Sequence, residues 1–498
     1  MQAAAHIMGM EDVLRLAPIL VACGFGIVIM LVDPFVAPAR RYLMADLGIL
    51  GALASLGAVS LSARHMGYSY SGLPYSSLIQ VDELSVFMFF ALFTFAFLAM
   101  LGSLDYLERE GMQHGEYYAL VLFATAGMAV MACAQELLTA FVGLEVSSIA
   151  SYILAGYRRN APKSNESALK YFLLGSFATA FFLYGAALIF GGTGSTQLET
   201  IRDAMLHPNP LRPVEPTLIV LGSALVLVGL SFKVATAPFQ FWTPDVYEGA
   251  PTPVTGLFAS GPKAAAFAIL VRVFYSAFGS TSGTWFWAIW ISAALTMFLG
   301  NLAALVQTNI KRMLAYSSIA HAGYILVAFA ANSELGIAAL LFYILAYALV
   351  KLGAFTLLGH LGDTGERRVE IQDLAGLGRT HPMAAFCMSV YLLSLMGLPI
   401  TAGFLGKLYI LKAALDARNS AVTSLAIMLA VNSVISAYYY LRVVRVMYFS
   451  EPSADWRPAP VPYAVAAVLL FTALPTLYLG LFPDVIRNLV IQSASTLR

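Results

Sequence analysis

VLVGLSFKVATAPF, residues Val226–Phe239, places Lys233 in the middle of an apolar run and Pro238 shortly beyond it. At the centre of a bilayer a lysine costs at least about 2.5 kcal/mol on insertion scales, so its presence needs a reason. Proline removes a backbone donor and clashes with the preceding turn, so a helix through this stretch is interrupted. The rest of the chain has the same character. Of 498 residues, 60% are hydrophobic and 11% charged, against roughly 25% charged in soluble proteins. That is too little charge to cover a water-exposed surface of this size, and the mean hydropathy of +0.79 agrees. The solvent is the bilayer. Hydrocarbon offers backbone groups no partner, so the apolar runs must be helices and not open sheet.

A span needs about 20 apolar residues. Such runs fall at 13–32, 43–62, 84–102, 116–133, 137–155, 167–190, 217–241, 251–276, 284–306, 313–331, 335–360, 385–415, 421–447 and 461–482. They predict an all-α membrane protein of about fourteen transmembrane helices. The first run follows Glu11 and Asp12 and reads as a membrane helix, not a cleaved signal peptide. Orientation follows from Lys and Arg in the loops. With the N-terminus outside, the inner loops hold Arg40, Arg41, Arg109, Arg158, Arg159, Lys163, Lys311, Arg312, Arg367, Arg368, Arg379, Arg445 and Arg457. The opposite side holds about half as many, including Arg64, Arg202, Arg212, Arg418 and Arg487. The bias predicts both termini outside. The longest polar loop, Gly362 to His381, is too short to fold alone.

Two segments break in a matching way: the seventh carries Pro238 and Pro244, the twelfth Gly397, Pro399 and Gly403. Paired interrupted helices point to a repeat built around a transport path; simple kinking is the alternative. Six ionisable residues sit within apolar runs: Glu145 in FVGLEVSSIASYIL, Lys170 in ESALKYFLLG, Lys233, Lys263 in LFASGPKAAAFAIL, Lys351 in YALVKLGAFTLL and Lys407 in GLPITAGFLGKLYIL. Lys170 and Lys351 have a second reading, snorkelling to an interface. Glu145 also reads as a structural ion-pair partner of a lysine. Tyr316 and His321 lie on one helix in AYSSIAHAGY, where packing is the alternative to a relay. Desolvation disfavours the ammonium form of any buried lysine, and a nearby carboxylate restores it. Moving such a carboxylate switches an amine between holding and releasing a proton. Lysines repel Na⁺ and K⁺, so the cargo that fits is the proton.

Other chemistries find no support. Cys23, Cys133 and Cys387 lie far apart with no CxxC spacing, whereas an iron–sulfur cluster usually takes about four thiolates. No nucleotide fingerprint is present; GGTG at Gly191–Gly194 ends a helix in a loop. The net charge of +1 argues against a nucleic-acid partner.

KVATAPFQFWTPDVYEGAPTPVT, Lys233–Thr255, resembles the seventh-helix signature of the antiporter-like subunits of respiratory complex I, the NADH–quinone oxidoreductase. DVYEGAPTP resembles the N type of subunit rather than its sisters L and M. GLPITAGFLGK agrees, since its helix carries Lys407 where the M type has a glutamate, and NESALKYFLLG and RMLAYSSIAHAGY also match. The L type would continue into a long lateral helix, and this chain stops soon after its fourteenth segment. The likeness spans roughly residues 80–450.

The resemblance implies a proton channel in two inverted five-helix repeats, helices 4–8 (residues 111–280) and 9–13 (281–450), after helices 1–3 (1–110) and before helix 14 (451–498). It implies that Glu145 and Lys233 form the switchable pair with Lys170 beside it. Lys263 passes the proton onward and Lys407 leads it out, with Tyr316 and His321 between the last two. Gln240 stands where the family usually has histidine, two turns after Lys233, or about 10 Å along one helix face. Glutamine holds a water but carries no charge. Lys351 stands where an uncharged residue is more usual and receives no role. The resemblance further implies no cofactor in this chain: NADH, FMN, iron–sulfur clusters and the quinone site belong to other subunits. Its expected partners are the other membrane subunits, in the bacterial inner membrane. The competing readings are a subunit of a multi-subunit Na⁺/H⁺ antiporter and a non-conducting scaffold.

Overall fold

A computed structural model describes residues 10–68, 78–208, 214–452 and 459–495. Arg212 and Arg457, used above for orientation, lie outside the described residues. The membrane helices are α1 (Ala17–Val32), α2 (Tyr42–Arg64), α3 (Glu83–Arg109), α4 (Gly115–Cys133), α5 (Leu137–Ala155) and α6 (Pro162–Thr193). Next come α7a (Pro216–Val234), the short α7b (Thr243–Gly249), and α8 (Thr252–Val271), which continues as a π-helical stretch Arg272–Ala277. The second half holds α9 (Ser282–Leu305), α10 (Ile310–Ala330), α11 (Glu334–Leu361), α12a (Pro382–Met396), α12b (Ala402–Asp416), α13 (Ser420–Phe449) and α14 (Tyr463–Leu481). Thirteen of the described helices are long and apolar enough to cross a membrane. The fourteenth expected crossing is the broken pair α12a and α12b. Both expected interruptions are present, five helices apart, and five crossings reverse the direction of a block, so the second repeat runs inverted.

Three features were not read from the sequence. The α2–α3 connection holds a two-residue antiparallel pairing, Gly67 with Val81 and Tyr68 with Gln80. A helix α15, Asp484–Ser495, follows α14, and Ser493 Oγ donates to the carbonyl of Glu83 at the start of α3. The loop Gly362–His381 carries two short helical turns whose Ile371, Leu374 and Leu377 are buried.

Local chemistry fixes the helix ends. Asp82 caps α3 by accepting from Ser85 N–H at 2.9 Å, and Asn309 caps α10 by accepting from Arg312 N–H at 3.0 Å. Asp82 also takes the fully buried guanidinium of Arg272 at 2.5 Å, while Arg272 Nε donates to the carbonyl of Ala132. One charge pair thereby joins α3, the end of α4 and the π-helical end of α8. Where α4 meets α5, a Cβ on Gly127 would lie 2.6 Å from Ser147 N, so glycine is what lets these backbones approach.

The two interruptions use the same cap. α7a ends with Ala235 in the left-handed region (φ 61°), Ala235 N–H on Phe232 O and Thr236 N–H on Ser231 O. α12a ends with Gly397 at φ 95°, Gly397 N–H on Ser394 O and Leu398 N–H on Leu393 O. Both are Schellman arrangements, which satisfy the last carbonyls of a helix. The expected run 217–241 is therefore helical only to Val234.

The protein surrounds some helices far more than others. The apolar window of α8 is wholly buried and those of α10 and α11 are 94% buried, against 28% for α1 and 33% for α6 and α13. These three inner helices carry Lys263, His321 and Lys351.

Gly397→Ala tests the shared cap. A left-handed alanine costs about 1–2 kcal/mol, and its Cβ would sit 3.3 Å from Lys407 Cδ. We expect a lower thermal midpoint for the variant in detergent; an unchanged midpoint would show that the α12 break does not need this conformation.

Candidate functional site

The break in α7 is built by its neighbours. Freed backbone groups have no water to turn to in a bilayer. Thr296 Oγ1 on α9 accepts from Ala237 N–H at 2.7 Å, and Ser292 Oγ donates to Ala237 O at 2.6 Å. Trp242 returns from beyond the break, donating its indole N–H to Phe232 O at 3.0 Å and stacking on Tyr171 with ring centroids 4.5 Å apart. Lys233 therefore sits at a rigid helix C-terminus, where a cation is favoured. Its ammonium donates to Ser148 Oγ on α5 at 2.8 Å and to Tyr171 OH on α6 at 3.5 Å.

Four sequence expectations change here. Glu145, one turn before Ser148, makes no ion pair with Lys233; its Oε1 is shielded from water and hydrogen-bonded to nothing. It remains within electrostatic reach of Lys233. Lys170 is not buried beside that pair. Its side chain is 39% exposed and bridges Glu166 and Asp245, each at 2.6 Å. Asp245 and Glu248 on α7b also share Arg312, and Lys163 pairs with Glu248. Gln240 does not share a helix face with Lys233, because the helix has stopped at Val234. It is half-buried in the turn after the break, with its Oε1 enclosed and unbonded. Tyr316 does not lie in the core between Lys263 and Lys407. It is half-buried with the Arg312 guanidinium 5.9 Å from its ring centroid. His321 is five positions further along the helix, about 140° around the axis.

The second half gathers the remaining groups on α10. Lys263 donates to Ser318 O at 2.8 Å and Ser318 Oγ at 2.6 Å, and Tyr347 OH donates to the same Oγ at 2.6 Å. Lys351, fully buried, donates to Leu314 O at 2.9 Å and Ser317 Oγ at 3.0 Å. Ser317 Oγ meets Tyr440 OH at 2.6 Å, Tyr440 OH meets His321 Nε2 at 3.0 Å, and His321 Nδ1 meets Tyr343 OH at 2.6 Å. Lys351 is thus no interfacial snorkel but one end of an unbroken hydrogen-bonded string through His321. Lys407 stands apart. It donates to Leu395 O and Met396 O, both at 3.0 Å, at the end of α12a, and lies 5.0 Å from the ring centroid of Tyr324. Between Tyr343 and Tyr347 on one side and Ser394 and Leu395 on the other runs a crevice too narrow to admit a water molecule.

Sequence reasoning missed Ser148, Ser317, Ser318, Tyr343, Tyr347 and Tyr440. The only signal was the polar pair Ser317–Ser318 within AYSSIAHAGY; the tyrosines come from α11 and α13 and look like ordinary core aromatics in the sequence. Among the described residues no group of three or more His, Cys, Asp or Glu is placed to hold a metal ion.

Two interrupted helices around a file of buried amines define an antiporter-like membrane subunit. The sequence model of the family described as NADH:quinone oxidoreductase/Mrp antiporter, TM, matches residues 134–436. The chain is 45% identical over 489 residues to NADH-quinone oxidoreductase subunit N 1 of Solibacter usitatus, covering 98% of each. It is 36% identical to a chain of the respiratory complex I of Thermus thermophilus, with a TM-score of 0.78, covering 95% of this chain and 98% of that one. A chain of the Mrp complex from Dietzia is similar in fold alone, at 22% identity and a TM-score of 0.85 over 97% of each. The chain belongs to the NADH-quinone oxidoreductase subunit N family.

Burial separates the lysines into two classes that an amine-labelling experiment distinguishes. Lys163 and Lys170 have side chains 74% and 39% exposed, whereas Lys233, Lys263, Lys351 and Lys407 are at most 5% exposed. With a water-soluble amine reagent and mass spectrometry, the first two should label in the folded protein and the last four only after unfolding. Rapid labelling of Lys351 would return it to an interface.

Proposed function

We propose that the chain carries protons across the membrane as subunit N of a NADH-quinone oxidoreductase, along the amines of its interior. The observation that carries this reading is the file Lys233, Lys263, Lys351 and Lys407. Each is buried with hydroxyls or carbonyls as hydrogen-bond partners, and none makes an ion pair among the described residues. An uncompensated ammonium in a dry core costs several kcal/mol. Such a file favours a few protons that move over many that stay. Hydroxyls suit the connections because each donates and accepts.

Glu145 tunes the first step. Its carboxylate, whose Oε1 has no partner, favours the charged form of Lys233 when it swings closer and releases it when it withdraws. No hydrogen-bonded side chain joins Lys233 to Lys263 among the described residues, so water carries this step, with Gln240 Oε1 at the break as one anchor. From Lys263 the proton passes Ser318 and Tyr347 to the string of Lys351, Ser317, Tyr440 and His321. The closed crevice beside Tyr343 is the gate. Motion of α12 about its break, where Ile400 is held at φ 81°, opens the way to Lys407. Lys170 and Tyr316 serve the end of the molecule around α7b. Residues 111–280 and 281–450 are the two repeats. The sister membrane subunits of the complex pack against the chain in the bacterial inner membrane, both termini face the periplasm, and electron transfer from NADH through FMN and iron–sulfur clusters to quinone takes place on other subunits.

Two experiments bear on this. Glu145→Gln keeps the side chain's size and removes its charge. We expect normal assembly with proton pumping and coupled quinone reduction below about a tenth of native; native pumping in membrane vesicles would make Glu145 structural. Lys351→Met and Lys351→Arg separate a proton carrier from a fixed charge, since methionine is never charged and arginine is always charged. Both should fail to pump. If arginine pumps normally, Lys351 is a static cation, and if methionine does, it is packing.

A further inference from the structure

The loop Gly362–His381 drives a carboxylate into the protein. The Glu366 side chain is 7% exposed, and its Oε2 lies 2.9 Å from Lys311 Nζ and 3.3 Å from an Arg158 guanidinium nitrogen. Its Oε1 accepts from Tyr106 OH at 2.8 Å, Thr252 N–H at 2.8 Å and Thr252 Oγ1 at 2.6 Å. Lys311 donates also to Ala250 O at 2.8 Å. The ion pair therefore straddles residues 250 and 252, the joint between α7b and α8. The cation meets the C-terminal end of α7b and the anion the N-terminal end of α8, which is the sign each helix end favours.

The loop is built to hold this carboxylate in place. Glu366 has φ 51°, uncommon for a residue with a side chain, next to Gly365 at φ 77°. Backbone strain of this kind persists only where the surroundings enforce it. Gly365 N–H donates to Glu110 Oε1 at 2.8 Å, and Glu110 in turn pairs with Arg158. Beyond Glu366 the chain pairs with the approach to α10, through Ile310 N–H to Val369 O at 2.8 Å and Ile371 N–H to Thr308 O at 2.9 Å. Burial works against the ionised Glu366, but Lys311, Thr252 and Arg158 outweigh it and keep the group below its usual range.

Thr252 begins α8 and Lys311 lies in the first turn of α10. Lys263 lies about 16 Å up the first and Ser318 about 10 Å up the second, by helical rise. Fixing these two starts fixes the register at which Lys263 meets Ser318. The same loop leads into α12a, whose last carbonyls hold Lys407. We propose that Glu366 is a positioning residue that, with Lys311, clasps the α7b–α8 joint and couples the α12 break to the Lys233–Lys263 step. This rests on the proton-relay reading above.

The test uses the whole complex in native membranes. Assembly is measured as NADH oxidation with a water-soluble acceptor, and proton-coupled quinone reduction is expressed per assembled complex. Glu366→Gln, Lys311→Met and the double variant are compared. Removing one charge strands the other in the core, whereas neutralising both members of a buried pair is often tolerated. The double variant should therefore recover the assembly lost in the singles. Its coupled turnover should stay at least about threefold below native, as in Glu366→Gln. Native turnover in either Glu366→Gln or the double variant overturns the clasp. Should Glu366→Gln not assemble, Glu366→Asp keeps the charge and shortens its reach; a threefold loss is again expected and native turnover again overturns the proposal. Glu145→Gln and Lys351→Met run alongside separate the two readings. If both also pump normally, the relay has failed; if neither pumps while the Glu366 variants do, only the clasp has.

Discussion

A bilayer core supplies no water to satisfy a peptide group, so any helix interrupted there must be completed by the protein around it. The structure of this chain follows from meeting that demand twice. At the α7 break the backbone of Ala237 is taken up by Thr296 and Ser292 of α9, and Trp242 returns to the carbonyl of Phe232. At the α12 break the Schellman turn uses the carbonyls of Leu393 and Ser394, and Lys407 takes the next two. In the second case the group that repairs the backbone is itself a buried amine. Structural repair and candidate chemistry share one side chain, so a displacement of the break displaces the charge.

The same constraint explains the distribution of charge. Carboxylates with strong partners sit at the helix ends: Asp82 with Arg272 at one end, and Glu366 with Lys311 and Arg158 at the other. The core between holds amines, hydroxyls and the Glu145 carboxylate. The interior thus combines ion-paired ends with a middle in which amines bond to hydroxyls and carbonyls.

Much of the fold was legible in the sequence. Fourteen apolar runs gave fourteen crossings because hydrocarbon thickness sets helix length and leaves no other regular structure available. The interruptions at Pro238 and at Gly397–Pro399 were legible because proline and glycine act locally on the backbone. The burial of Lys233, Lys263 and Lys407 was legible because the flanking residues are apolar on every side of the helix.

What the sequence could not decide was which groups meet. Lys351 looked like a residue free to snorkel, and only the packing of α11 among its neighbours shows it enclosed and bonded to Ser317. Gln240 and Lys233 looked like one helix face, until the left-handed turn at Ala235 ended the helix between them. Lys170 was expected beside the Glu145–Lys233 pair or at an interface, and Asp245 of α7b draws it into an ion pair. Glu366 lies in the polar loop Gly362–His381 and was not singled out, because its partners come from residues 106, 158, 252 and 311. The sequence by itself determined the number of crossings and the places where they break, because solvent and backbone act along the chain. The tertiary structure alone decided the hydrogen-bonded string and the charge pairs, because these depend on the rotation and register of helices distant in sequence.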